Sequence, residues 1–239
     1  MTELLLINYM KDKLVEKGET IMSFNIAIDG PAGAGKSTIA KRVAKEKGYI
    51  YVDTGAMYRA MALYLINNQV DSSDASAIGE SCKNADITIQ YQDGEQIVLL
   101  NGENVNGLIR TEEVGNMASV SSANMEVRKK LVELQQKLAK TSDVVMDGRD
   151  IGTCVLPDAN VKVYLTASSR ERASRRYKEL VAKGENCDLD TIEKDIIERD
   201  HRDMTREISP LKQADDATLI DSSNMTIDEV VEAILNLCK

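Results

Sequence analysis

Residues 30–38, GPAGAGKST, hold the densest chemistry in the chain. They fit the spacing G-x-x-x-x-G-K-[ST] through Gly30, Gly35, Lys36 and Ser37. Small residues let backbone N–H groups turn inward around phosphates, a lysine brings charge to the outer phosphates, and a serine hydroxyl suits Mg2+. The positive end of a following helix adds to this. A strand pattern precedes the motif and a helix pattern follows it, as the chemistry requires, so a plain glycine-rich turn is the lesser reading.

Four further stretches concentrate charge. YVDTGAMYRA (51–60) crowds Asp53, Thr54, Tyr58 and Arg59 together. Thr54 is expected to cap the next helix as well as face a cleft. Arg59 is either a solvent-facing residue or one that reaches an acceptor phosphate. MDGRDIGT (146–153) sets Arg149 beside Asp150 between Gly148 and Gly152, as a loop ion pair or as cleft residues; Asp147 before them either orders Mg2+ through water or ends a strand. ERDHRDMTR (198–206) aligns Arg199, Asp203 and Arg206 at helical spacing, as a salt-bridge ladder or as ligands, with His201 off that face. RERASRRYKE (170–179) puts Arg172, Arg175 and Arg176 on one helical face. Two readings of it stand: a solvated charge run, or mobile arginines that stabilise phosphoryl oxygens and exclude water.

The elements that must position these residues follow from periodicity. FNIAID (24–29), YIYV (49–52), DVVMDG (143–148), VKVYLTA (161–167) and ATLIDS (217–222) read as strands. A helix ended by Gly48, another over 54–67, and helical pattern around 111–140 lie between them. Residues 86–105 differ: two alternating runs flank Asp93-Gly94, a hairpin signal. The expectation is an α/β fold, a parallel sheet flanked by helices with a small antiparallel sheet inserted. Ligands of such sheets sit beyond the strands' carboxyl ends, where the phosphate loop, YVDTGAMYRA and MDGRDIGT fall.

Composition removes several functions. One histidine, His201, leaves no Ser-His-Asp or multi-histidine metal site. Four widely spaced cysteines without a CxxC give no zinc or disulfide framework and suit a reducing cytoplasm. A net charge of −9, no tryptophan and one phenylalanine argue against nucleic acid as a partner. No run is long enough to span a membrane. GTP switches carry N-K-x-D, which is absent, and VVMDG lacks the Asp-Glu ending of motor ATPases. A small-molecule kinase remains.

AIDGPAGAGKST, YVDTGAMYR, DGRDIGT and ERDHRDMTR, in this order and with an inserted hairpin, closely resemble bacterial-type cytidylate kinases from about Met22 to the C-terminus. The resemblance implies transfer of phosphate from ATP to CMP or dCMP, with Mg2+, by a cytoplasmic monomer of the nucleoside-monophosphate-kinase fold. It implies an acceptor-binding insert at about 85–125 and a helical lid at about 168–185. Gly30, Pro31, Ala32, Gly33, Ala34, Gly35, Lys36, Ser37 and Thr38 would hold the ATP phosphates; the Mg2+ ligation by Ser37 comes from the loop motif and not from the resemblance. Thr54, Arg59, Arg149 and Arg206 would meet the CMP phosphate, Ser119, Arg128 and Asp150 the cytosine, and Arg199 with Asp203 the sugar. Lys36, Arg149, Arg206 and the lid residues Arg172 and Arg176 would serve catalysis, with Arg175 also in the lid. Arg110 matches without an implied role. Residues 1–21 depart from the pattern. Lys17-Gly18-Glu19 can be encoded AAA-GGA-GAA, which contains a GGAG ribosome-binding sequence upstream of Met22, so translated leader is expected there; an amphipathic helix on Leu4, Ile7 and Leu14 is the other reading. The competing functions are a phosphate-loop kinase for another small acceptor, such as UMP or a sugar acid, and an ATP-dependent switch.

Overall fold

The computed structural model describes residues 23–92 and 94–239. The expectations for residues 1–21, and Asp93 of the hairpin turn, lie outside them. Along the chain run Asn25–Asp29 (β1), Lys36–Lys47 (α1), Ile50–Asp53 (β2), Thr54–Asn67 (α2), Ala75–Ser81 (α3), Ile87–Gln92 (β3), Glu95–Leu100 (β4) and Glu103–Asn104 (β5). Glu112–Ser121 (α4), Met125–Thr141 (α5), Val144–Gly148 (β6), Val161–Thr166 (β7), Ser169–Ala182 (α6), Leu189–Thr205 (α7), Thr218–Asp221 (β8) and Ile227–Leu237 (α8) follow.

Five of these strands pair in parallel in the order β2-β6-β1-β7-β8. Alternation along β1 explains the layers. Ile26 and Ile28 enter the core beneath α1 and α8, while Ala27 enters the core shared with α2, α4 and α5. Val145 and the pair Val144 and Met146 divide the same way on β6. A strand buried on both faces needs helices above and below, which parallel crossovers supply.

The helices begin and end as local chemistry dictates. Asn124, Ser168 and Asp188 cap α5, α6 and α7 with side-chain oxygens, and Thr226 with Glu229 forms a capping box on α8. Gly48 closes α1 at φ 68, the left-handed turn expected of it. The helical pattern at 111–140 resolves into two helices, because Asn124 caps a second one after a turn at Ser122 and Ala123. Thr54 does not cap α2. Asp53 does, its carboxylate accepting from Ala56 N at 2.9 Å, because it is one residue earlier and still extended.

The hairpin forms as β3 and β4, with the short β5 added alongside β4. This small sheet covers the outer edge of β2 with side chains. The Gln96 amide accepts from Asp53 N at 2.8 Å and donates to Asp53 O at 3.2 Å, and Tyr91 donates its hydroxyl proton to Tyr51 O at 3.1 Å. Among the described residues no helix is long and apolar enough to cross a membrane.

Candidate active site

Every strand of the large sheet ends in the same place. Asp29, Asp53, Gly148, Thr166 and Asp221 close β1, β2, β6, β7 and β8, and the residues just beyond them border a cavity of about 720 Å³. The phosphate loop leaves β1 through Gly30, at φ 148, where an added Cβ would lie 1.9 Å from Leu165 O; only glycine fits. Gly33 and Gly35 follow at φ 75 and 85. They turn the backbone into the start of α1, with its unpaired N–H groups toward the cavity.

Lys36 is buried and donates to Pro31 O at 2.7 Å. Burial pushes its ammonium well below the usual lysine range and Arg149 adds to this, while Asp147, Asp29 and Asp203 pull the other way. A group in this position gains most when phosphate charge arrives. Ser37 donates its hydroxyl proton to Asp147 Oδ2 at 3.0 Å and Tyr51 donates to Oδ1 at 2.8 Å. Burial, with help from Asp53, holds the Asp147 carboxyl above the ordinary carboxylate range.

Asp29 was not singled out by sequence reasoning, although it stands immediately before the phosphate loop at a strand end. It is 4% exposed and accepts from Ile151 N and Gly152 N, both at 2.7 Å. Those bonds fix the turn after β6 that presents Arg149 and Asp150. Burial pushes its carboxyl up to about 6 against the two amides.

Arg149 and Asp150 do not pair with each other. Arg149 Nε donates to Asp203 Oδ2 at 2.8 Å, joining the β6 turn to α7. Asp150 is buried against Arg128, with Arg206 at 3.7 Å on its other oxygen. The Arg128 guanidinium also lies 5.7 Å from the centre of the Tyr58 ring. Thr54 is buried and donates to Asp147 O at 2.7 Å, while Ser119 is half-buried on α4 at the rim. Arg110 pairs with Asp53 Oδ2 at 2.6 Å.

Arg59 and Arg199 form no ion pair among the described residues. Arg59 reaches only Ile109 O, at 3.5 Å. Arg199 Nε is buried without a partner, and burial with the nearby Arg149 charge pushes the guanidinium down to about 10. Six arginines (59, 110, 128, 149, 199 and 206) line this end against Asp53, Asp150 and Asp203. Such an excess of cations over carboxylates in a concave site selects an anion.

Arg172, Arg175 and Arg176 of α6 take separate paths. Arg175 reaches Ser222 O at 2.9 Å and borders the cavity. Arg176 pairs with Glu179 and is half-exposed. Arg172 is buried, and neither it nor Arg176 lines the cavity. At the phosphate-loop end the wall is completed by Ser222, Met225, Thr226, Ile227 and Val230, which sequence reasoning also missed. Their only signal was position, just past the carboxyl end of β8. Tyr58 carries no assigned role in its motif; its hydroxyl is buried at the cavity wall with no hydrogen-bond partner among the described residues.

A family model described as cytidylate kinase matches residues 26–239. A protein named cytidylate kinase from Caldicellulosiruptor saccharolyticus is 54% identical over 213 residues, covering 89% of this chain and 94% of its own. One of the same name from Shouchella clausii is 49% identical over 216 residues, covering 90% and 96%. Another from Lactobacillus johnsonii is 52% identical, covering 89% and 92%.

Proposed function

The chain belongs to the cytidylate kinase family, and from that premise we propose that it transfers the γ-phosphoryl group of ATP to CMP or dCMP, releasing ADP and CDP or dCDP. The observation that carries the base assignment is the buried Arg128–Asp150 pair at the cavity wall. Cytosine offers an acceptor at N3 beside an amino donor. Arginine can only donate and an ionised aspartate can only accept, so the pair complements that edge. Uracil reverses both groups.

In this reading Arg59, Arg149 and Arg206, with Thr54, hold the acceptor phosphate, Ser119 assists at the base, and Arg199 with Asp203 holds the sugar. The backbone of residues 30–38 and Lys36 hold the donor phosphates, and the wall formed by Arg175, Met225 and Ile227 takes the donor base. An oxygen of the acceptor phosphate attacks the γ-phosphorus in line. The bond to the β,γ-bridging oxygen breaks, and ADP leaves with its electron pair. The acceptor phosphate is mostly a dianion above its second pKa of about 6, so no protein base is needed. The residues position the two phosphates and offset charge as it moves.

A buried carboxylate held above its ordinary range, 3.0 Å from a hydroxyl, fits a Mg2+ ion that keeps most of its waters. Ser37 and Asp147 would hold it, and it would supply charge neutralisation between the phosphates. Residues 85–125 act as the acceptor insert and 168–185 as the lid, in a cytoplasmic monomer whose cysteines stay reduced. The test is to incubate the protein with ATP, Mg2+ and CMP, dCMP, UMP, AMP, GMP or no acceptor, following ADP and phosphorylated product. ADP matched by CDP or dCDP supports the reading. ADP without acceptor, or product only from another acceptor, overturns it.

A further inference from the structure

Arg172 is buried, and all three of its guanidinium nitrogens make directed contacts. Its Nε donates to Ala167 O at 2.9 Å, at the root of its own helix. One terminal nitrogen donates to Ala32 O at 2.9 Å, inside the phosphate loop. The other pairs with Asp200 Oδ2 at 2.6 Å, on α7. Its stem lies along the phosphate loop, since a Cβ on Gly33 would sit 3.4 Å from the Arg172 Cβ. The second oxygen of Asp200 is buried and has no hydrogen-bond partner among the described residues, so this guanidinium carries the contact that compensates the carboxylate.

These contacts join three bodies. Ala32 belongs to the loop that would hold the donor phosphates. Asp200 stands next to Arg199 and one helical turn before Asp203, whose carboxylate holds Arg149. A planar guanidinium with three directed bonds in a dry setting fixes distances and angles that a flexible ammonium does not. We propose that Arg172 is a positioning residue: through Ala32 and Asp200 it sets the spacing between the phosphate loop and the acceptor face of α7, and so the in-line alignment of the two phosphates. It rests on the kinase reading above, and it places Arg172 at the buried root of the lid helix, behind the site.

A misplacement of about 1 Å in a two-substrate site costs roughly 100-fold in rate while each substrate still binds. Three full-length variants test this: Arg172→Lys, Asp200→Asn and the double variant, assayed with ATP and CMP well below their melting temperatures. Each single change is expected to lower kcat by about 10- to 100-fold with both KM values within about 3-fold. The double variant is expected to be no worse than the poorer single, because both cut the same tie. A kcat within about 3-fold of wild type in the singles overturns the proposal. So do losses that multiply in the double variant, which would mean that Arg172 reaches the phosphoryl group independently of Asp200. Should Arg172→Lys fail to fold, Asp200→Asn decides alone by the same split between kcat and KM. Wild-type turnover of CMP is the control, and its absence would fault the kinase reading instead.

Discussion

Asp29 illustrates how far a single residue's role depends on distant sequence. Its two amide partners lie 122 and 123 positions away, so nothing local distinguishes it from an ordinary strand-end acid. Lys36, by contrast, was legible because its partners are its immediate neighbours in a short motif. The buried state of Asp29 is open to measurement. Its folded value of about 6 lies above the ordinary 3.8, so ionising it works against folding. Its contribution to stability is full below the ordinary value and is lost as pH rises through about 6. The amide proton chemical shifts of Ile151 and Gly152 should report the Asp29 titration with a midpoint near pH 6 in the apo protein. A midpoint near 4 would mean that the carboxylate is solvated. Asp150 allows a second test at this scale. Asp150→Asn preserves volume, but its amide can turn a donor toward O4 of uracil. The ratio of kcat/KM for CMP over UMP should fall by about 10-fold or more, given roughly 1–3 kcal/mol for each unpaired buried group. An unchanged ratio would move base selection elsewhere.

Helix α6 shows what periodicity does and does not reveal about an element. Spacing put three arginines on one stripe, and the helix did form with Ser168 as its cap. What spacing could not show is that the helix is buried only near its start: Arg172 and Ala173 are its buried residues, and from Arg176 onward it is half-buried or exposed. A helix anchored at one end is free to swing about that end. Amides of residues 176–184 should therefore exchange faster than those of α1 in the free protein, and slow when a bisubstrate analogue spans the cavity. Equal exchange with and without the analogue would count against a lid. The strands were the most legible elements, since each is a short apolar run bounded by charge or glycine. The two-residue β5 was not, because so short a strand has no period to read.

On the scale of the whole molecule, two electrostatic facts oppose each other. The chain carries −9 overall, while arginines outnumber acids at the acceptor end of the cavity. The cavity's charges lie close to any bound phosphate, whereas the net charge is spread over a surface whose field is screened beyond about 10 Å at 0.1 M salt. The near field should win. KM for CMP is expected to rise by about 2- to 5-fold between 0.02 and 0.2 M NaCl, with kcat little changed. A KM that falls with salt would show the acidic surface in control. The parallel architecture itself was readable from strands alternating with helices. The seam between its two sheets was not, because the residues that form it, Tyr91 and Gln96, look like ordinary hairpin positions. That seam has a bearing on how such chains diverge. The small sheet meets β2 through two side chains and continues no ladder, so the two sheets need not share a register. The hairpin's turn can therefore lengthen or shorten in descent without shifting the register of the catalytic sheet, provided that an amide side chain still faces Asp53 and that Ile87, Val98 and Leu100 still fill the core they share with Val52.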